Sequence, residues 1–241
     1  MAVVAASAAS PSYAITMTKF AEFSQTSDAP PNVFWNNPTN GTTASFYTGT
    51  SFSHMSAVPI EFSFVNNAAL SSVHDLNATL LIFNSGASGV AATLSPNADQ
   101  KGFFGSFKIL STSDFWVGLT HYAAGTNLLS GDFMKGEIAG LPPGSTGAAF
   151  AATIGGSVVN FTSDVTGALK KSIARDLVLN LDAIAPFLDA VPGGALKSFK
   201  ANADGSFAQA GVPEPATWAM MFLGMGALGV AMRRRRALAA A

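Results

Sequence analysis

The feature that most limits what this chain can fold into is a hydrophobic period of two. In Val58-Pro59-Ile60-Glu61-Phe62-Ser63-Phe64 the apolar residues at 58, 60, 62 and 64 share one face, because successive side chains of an extended strand point to opposite sides. Pro59 has no amide to donate, which suits an edge or the first positions of a strand. Residues 77–83 (NATLLIF) read as a more buried strand closed by Asn84-Ser85-Gly86, and residues 102–110 set Phe103, Gly105, Phe107 and Ile109 against Phe104, Ser106 and Lys108. Further strands are expected at 115–121, 127–134, 137–141, 148–161, 176–184 and 196–207. Within 176–184, Leu177, Leu179 and Leu181 alternate with Val178, Asn180 and Asp182. The competing reading is a helix starting near Asp164 and supported by Lys170, Lys171 and Arg175, of which one short helical turn at most is expected.

Strands recurring at short intervals, with Gly, Asn, Pro and Ser between them, predict an all-β domain: an antiparallel β-sandwich, jelly-roll-like. Helical crossovers between parallel strands have no room. The longer loops are expected at 66–77 and 87–101, and residues 24–43, rich in Pro, Asn and Thr, are expected to be partly irregular. Phe62, Phe64, Leu81, Phe107, Leu177, Leu179 and Leu181 are the expected inward-facing residues, and Trp116, set between Phe115 and Val117, is expected in the core.

Charge excludes some partners. The whole chain carries a net −1, but four of its 13 cations are Arg233, Arg234, Arg235 and Arg236. Residues 15–212 hold nine basic and thirteen acidic side chains, a net of −4. That is not the basic footprint of a nucleic-acid-binding protein, nor does it favour electrostatic attachment to anionic lipid. With no cysteine in the chain, disulfides, thiolate metal ligands and thiol nucleophiles are out of reach.

The search for chemistry returns little. His54, His74 and His121 have no zinc-binding spacing,, and no G-x-S-x-G elbow occurs. His74 and Asp75 are adjacent, which in a strand would aim them at opposite faces. Glu61 alternates with the apolar face and is expected in solvent, whereas a glycosidase needs two acids on one concave face. Asn202-Ala203-Asp204-Gly205 resembles the middle of a calcium loop, but Lys200 and Gly211 stand where its two essential carboxylates would be,. Asp-Gly there favours a tight hairpin turn. The sequence therefore predicts no catalytic residue, no cofactor and no metal site. One candidate binding surface remains. Phe34-Trp35-Asn36-Asn37-Pro38 places Trp35, Asn36 and Asn37 together in a loop-like setting with Tyr47 nearby. An aromatic face beside amides is a common chemistry for carbohydrate, and the competing reading is that Phe34 and Trp35 plug one end of the sandwich.

The two ends of the chain read as addresses rather than as fold. Ser12-Tyr13-Ala14 has the small residues of a signal-peptidase site after a weakly apolar stretch from Ala2 to Ala9,. No basic residue precedes Lys19, so either the signal peptide is truncated or the true start lies upstream of Met1, and an Ala/Ser tail is the competing reading. At the other end, Val212-Pro213-Glu214-Pro215 precedes Trp218-Ala219-Met220 and seventeen uncharged residues, 216–232, followed by Arg233 to Arg236. Seventeen residues at ~1.5 Å rise barely cross a hydrocarbon core of ~30 Å. The arginines would hold their side cytoplasmic and place everything N-terminal outside, and the glycines at 224, 226 and 229 give a face that another membrane helix could approach closely,.

This C-terminal arrangement closely resembles the PEP-CTERM sorting signal of Gram-negative bacteria in its PEPxxWAM form. The resemblance covers residues 212–236, about a tenth of the chain. It implies recognition by a membrane-embedded exosortase, cleavage near the Pro-Glu-Pro, and delivery to the cell envelope or extracellular matrix. The β-rich middle is similar, in a general way, to ectodomains that carry this signal. The expected organisation is a signal peptide at 1–14, a β-sandwich ectodomain at 15–208, a linker with the Pro-Glu-Pro at 209–215, a transmembrane helix at 216–232 and a cytoplasmic basic tail at 233–241. The expected role is structural or adhesive, in the surface or exopolysaccharide layer. The alternatives are a lectin-like carbohydrate-binding module and, third, a surface hydrolase.

Overall fold

In a computed structural model the described residues are 17–26, 30–39, 41, 44–86, 91–94, 96–140, 143–152, 158–166 and 175–210. The expected signal peptide and everything from Gly211 onward lie outside them. Alternating apolar residues become strands almost throughout: β1 (Met17–Gln25), β2 (Val33–Asn36), β3 (Ser45–Ser51), β4 (His54–Met55), β5 (Val58–Phe64), β6 (Leu76–Gly86) and β7 (Asp99–Ser111). They continue as β8 (Phe115–Val117), β9 (Thr120–Tyr122), β10 (Asn127–Gly140), β11 (Ala148–Ala152), β12 (Val158–Thr162), β13 (Arg175–Ala185) and β14 (Phe199–Ala210). The one helical element among the described residues is a single 3-10 turn, Ala68–Leu70, capped by the Asn67 side chain accepting from the Ala69 amide,.

Every pairing is antiparallel, and the ladder closes. It runs β1, β5, β6, β7, β10, β11, β13, β14 and returns to β1. At the other end of β14, residues 199–201 pair with β2 instead, β2 pairs with β3, and Tyr47 of β3 reaches Phe83 of β6. The two layers expected of a sandwich are thus joined along both margins, and the unpaired edges that invite edge-to-edge association are largely removed. Pro59 is tolerated because pairing with β1 starts only at Ile60,.

The interior is aromatic. Trp35, Phe46, Phe62, Phe103, Phe133, Phe150, Phe161, Phe199 and Phe207 are among the largest fully buried side chains. Phe107 of β7 stacks on Phe207 of β14 at 5.1 Å between ring centroids, across the interior rather than along the ladder. Phe62, Phe64, Leu177, Leu179 and Leu181 face inward as expected. Leu81 does not: Leu80 and Ile82 are the buried pair. The run Leu80-Leu81-Ile82 is apolar at every position, so alternation alone cannot choose the face, and pairing with β5 and β7 decides it.

Two predicted strands, 127–134 and 137–141, merge into the single β10. The break in their alternation is a bulge: the register shifts around Gly136, and Lys135 takes φ 58°,. A Cβ on Gly136 would lie 2.7 Å from the Phe150 ring. The bulge is also where β10 changes partner from β12 to β11. The expected Asp-Gly turn at 202–205 is corrected as well. Asn202 to Gly205 run straight through β14, and a Cβ at Gly205 would strike the Phe23 ring. Glycine is required there for close packing rather than for a turn. The segment 24–43, expected to be partly irregular, contains β2. Residues 167–174, where a helical turn was the competing expectation, lie outside the described residues.

Antiparallel order sorts the connections into two ends. Met17 pairs with Ala210, Phe62 with Leu76, Ala78 with Ser111 and Leu110 with Asn127. The start of β1, the end of β14 and the connections 65–75 and 112–126 therefore share one end, called proximal below.

Candidate functional site

Three places bear on function: a polar cleft, the Trp35 region and the hairpin β8–β9. The cleft, of about 430 Å³, lies on the outward side of β1, β5, β13 and β14 and is lined by Lys19, Glu22, Ser24, Glu61, Asn180 and Asp204 among others. Among its residues, Glu22 and Ser24, Glu61 and Ser63, and Ser206 alternate with the buried Phe23, Phe62 and Phe207. Glu22 stands opposite Ser63 on one side and Ser206 on the other, and its carboxylate pairs with Lys19. Asp75 accepts from the Ser63 hydroxyl at 3.3 Å, and its other oxygen lies 2.8 Å from His74 Nδ1. Asp204 accepts the Gln25 amide at 3.2 Å. These contacts tie the strands and turns together. Glu61, expected in solvent, is half-buried along this cleft. Among the described residues no group of three or more His, Asp or Glu side chains is placed to hold a metal ion. His54, His74 and His121 sit at separate sites, the last two each beside one aspartate.

The Trp35 region is not the loop that its composition suggested. Trp35 is in β2, 1% exposed, with the Phe103 ring edge-on at 5.0 Å and Phe199 stacked at 6.4 Å. Its indole N–H donates to the Leu196 carbonyl at 2.8 Å, the partner a buried indole needs. Asn37 is also buried and donates to the same carbonyl at 2.9 Å. Asn36 is half-buried and donates to Phe52 O at 2.9 Å, which also receives the Tyr47 hydroxyl at 2.6 Å. Burial pushes the Tyr47 phenol above its ordinary pKa, partly offset by a hydrogen bond with Asn36. The plug reading describes this geometry, and Trp35 offers no ring face to a sugar.

The segment 115–121, expected as one strand, is a hairpin. Val117-Gly118-Leu119-Thr120 makes a two-residue turn with Gly118 at φ 58°, and a leading glycine is the signal for such a turn. Phe115 stacks on Tyr122 at 5.1 Å on the inner face, with Val117 also packed on the core. Trp116 is on the opposite face, 58% exposed, against His121 at 4.8 Å. It is therefore a surface residue, not the core residue expected. His121 Nε2 lies 3.2 Å from Asp114, which also accepts the Ala124 amide.

Val212, Pro213, Glu214, Pro215, Trp218, Ala219, Met220 and Arg233 to Arg236 lie outside the described residues, as does the expected transmembrane helix at 216–232. Among the described residues no helix is long and apolar enough to cross a membrane. A family model for the PEP-CTERM protein-sorting motif matches residues 211–236. The match begins one residue after β14 ends. Neither a curated protein nor a solved structure matches the chain.

Proposed function

We infer that this chain, a PEP-CTERM sorting-signal protein by its matched C-terminal motif, reaches the cell surface as an exosortase substrate and serves there as a structural or adhesive unit. The precursor is held in the inner membrane by residues 216–232, with Arg233 to Arg236 on the cytoplasmic side and the β domain outside. The exosortase cuts near Pro213-Glu214-Pro215, and the product joins the envelope or the exopolysaccharide layer. The single observation that carries this reading is the motif match at 211–236.

Physical features of the chain support it. Pro213 and Pro215 have no amide donor to give and disfavour helix, which suits a segment that a protease must read. The closed ladder limits free edges, so many copies can be displayed side by side without strand-to-strand polymerisation. The aromatic interior stabilises the domain without disulfides, which the chain cannot form.

Replacing Pro213, Glu214 and Pro215 with alanine tests the reading. The expected result is unprocessed protein retained in the inner membrane, read by intact mass and fractionation. Processing at the wild-type bond and rate would overturn it.

A further inference from the structure

We propose that the outer face of the β8–β9 hairpin, Trp116 and Leu119, rests in the lipid headgroup region of the membrane that holds the precursor. This rests on the anchored-precursor reading above. The first observation is placement. The hairpin emerges between β7 and β10 at the proximal end, the end at which β14 finishes at Ala210. Only residues 211–215 separate Ala210 from the start of the apolar stretch at Ala216. Five residues span at most roughly 18 Å even when fully extended. On the anchored-precursor reading, that tether bounds how far Ala210 can stand from the bilayer.

The second observation is the chemistry of the tip. Phe115, Val117 and Tyr122 fasten the inner face to the core, which turns the other face outward. Leu119, at the turn, is 98% exposed and Trp116 is 58% exposed. Among the described residues these are the two large exposed apolar side chains of the connections 65–75 and 112–126; Phe187 lies in the connection between β13 and β14 at the other end, Phe52 and Met55 belong to the β3–β4 hairpin, and Phe83, Phe104 and Met134 lie on strands. Residues 115–122 contain no Lys, Arg, Asp or Glu. The neighbouring Asp114 is engaged at the hairpin base by His121 and the Ala124 amide. The Ser72 hydroxyl donates to Trp116 O at 2.9 Å and fixes the hairpin against the adjoining turn.

A convex, uncharged tip with a leucine at its apex and an indole on its flank matches a fluid interface better than a shaped protein socket. Tryptophan favours the membrane–water boundary, where the ring is apolar and the N–H stays hydrated. With no Lys or Arg on the hairpin, the contact draws on apolar burial and should not weaken with salt.

The chain has no cysteine, so Leu119→Cys accepts a single environment-sensitive fluorophore. The full-length protein is reconstituted into phosphatidylcholine vesicles, with Phe187→Cys and Leu223→Cys labelled in parallel. The expected result is a blue-shifted probe at 119, quenched by bromolipid and unchanged by salt, with an aqueous probe at 187 and a lipid-immersed one at 223. A lipid-immersed probe at 223 with an aqueous one at 119 overturns the hairpin contact and leaves the anchor standing. An aqueous probe at 223 overturns the anchor and this contact with it. A probe at 119 that leaves water only when the exosortase is co-reconstituted assigns the tip to a protein partner and overturns the lipid contact.

Discussion

The dipeptide Phe-Trp occurs twice, at 34–35 and 115–116, and the fold uses it in opposite ways. In β2 both residues are buried. Trp35 faces the interior against Phe103 and Phe199, while Phe34 is covered on the other side by Tyr47 at 6.0 Å and by Phe52 at 5.2 Å. In β8 the sense is reversed, with Phe115 packed inward and Trp116 in solvent. Alternation makes neighbours in sequence face opposite ways in both places. What differs is the cover. The turn carrying Phe52 lies over the outer side of β2, whereas Trp116 stays 58% exposed beside its cross-strand partner His121. A shared pattern therefore fixes the relation between two side chains without fixing which of them is inside.

The largest effect should come from breaking this contrast directly. Trp35→Ala removes a fully buried side chain and leaves its volume among rings that cannot collapse, an expected loss of about 3–5 kcal/mol in chemical denaturation. Trp116→Ala should stay within about 0.5 kcal/mol. Equal losses at the two positions would defeat the distinction.

A middle-sized effect is expected at Gly205. Its place is fixed by the Phe23 ring, which a Cβ would overlap. Gly205→Ala should destabilise by roughly 1–3 kcal/mol through overpacking, measured by thermal unfolding. A loss below about 0.5 kcal/mol would defeat this packing account.

The smallest effect concerns a surface pair at the end opposite the hairpin. Asp189 lies beside Lys197, whose hydrogen bond holds the Asp189 carboxyl below its usual pKa. A group depressed in the folded state contributes stability above its unfolded pKa, near 4, and that contribution disappears as pH falls through the folded value. Both side chains are about half exposed, so the gain should stay below about 1 kcal/mol. Asp189→Asn should lower stability slightly at pH 7 and not at all in strong acid, as read by urea midpoints across pH.

Much of the fold was legible because period two is a local property. Val58–Phe64 matches its strand from first residue to last, β7 and β13 were seen with their ends slightly short, and β14 was placed three residues early at both ends. The strands that escaped were β1 to β4. Their residues, such as Ser45-Phe46-Tyr47-Thr48-Gly49, carry polar and small side chains at positions that distant strands bury. Thr48, for example, is wholly buried because its hydroxyl serves the Ile82 amide at 2.9 Å. No window of sequence contains that partner.

The sequence by itself determined the sorting motif, which is matched along one segment, residues 211–236, and it determined the all-β class through alternation. Only the tertiary structure decided that the ladder closes, that Leu80 and Ile82 rather than Leu81 turn inward, and that Trp35 is core while Trp116 is surface. The physical reason is the same in each case. Burial and closure depend on which remote strand supplies the other half of a hydrogen-bond ladder or the second wall of a packed ring, and a chain records its own side chains without recording what will cover them.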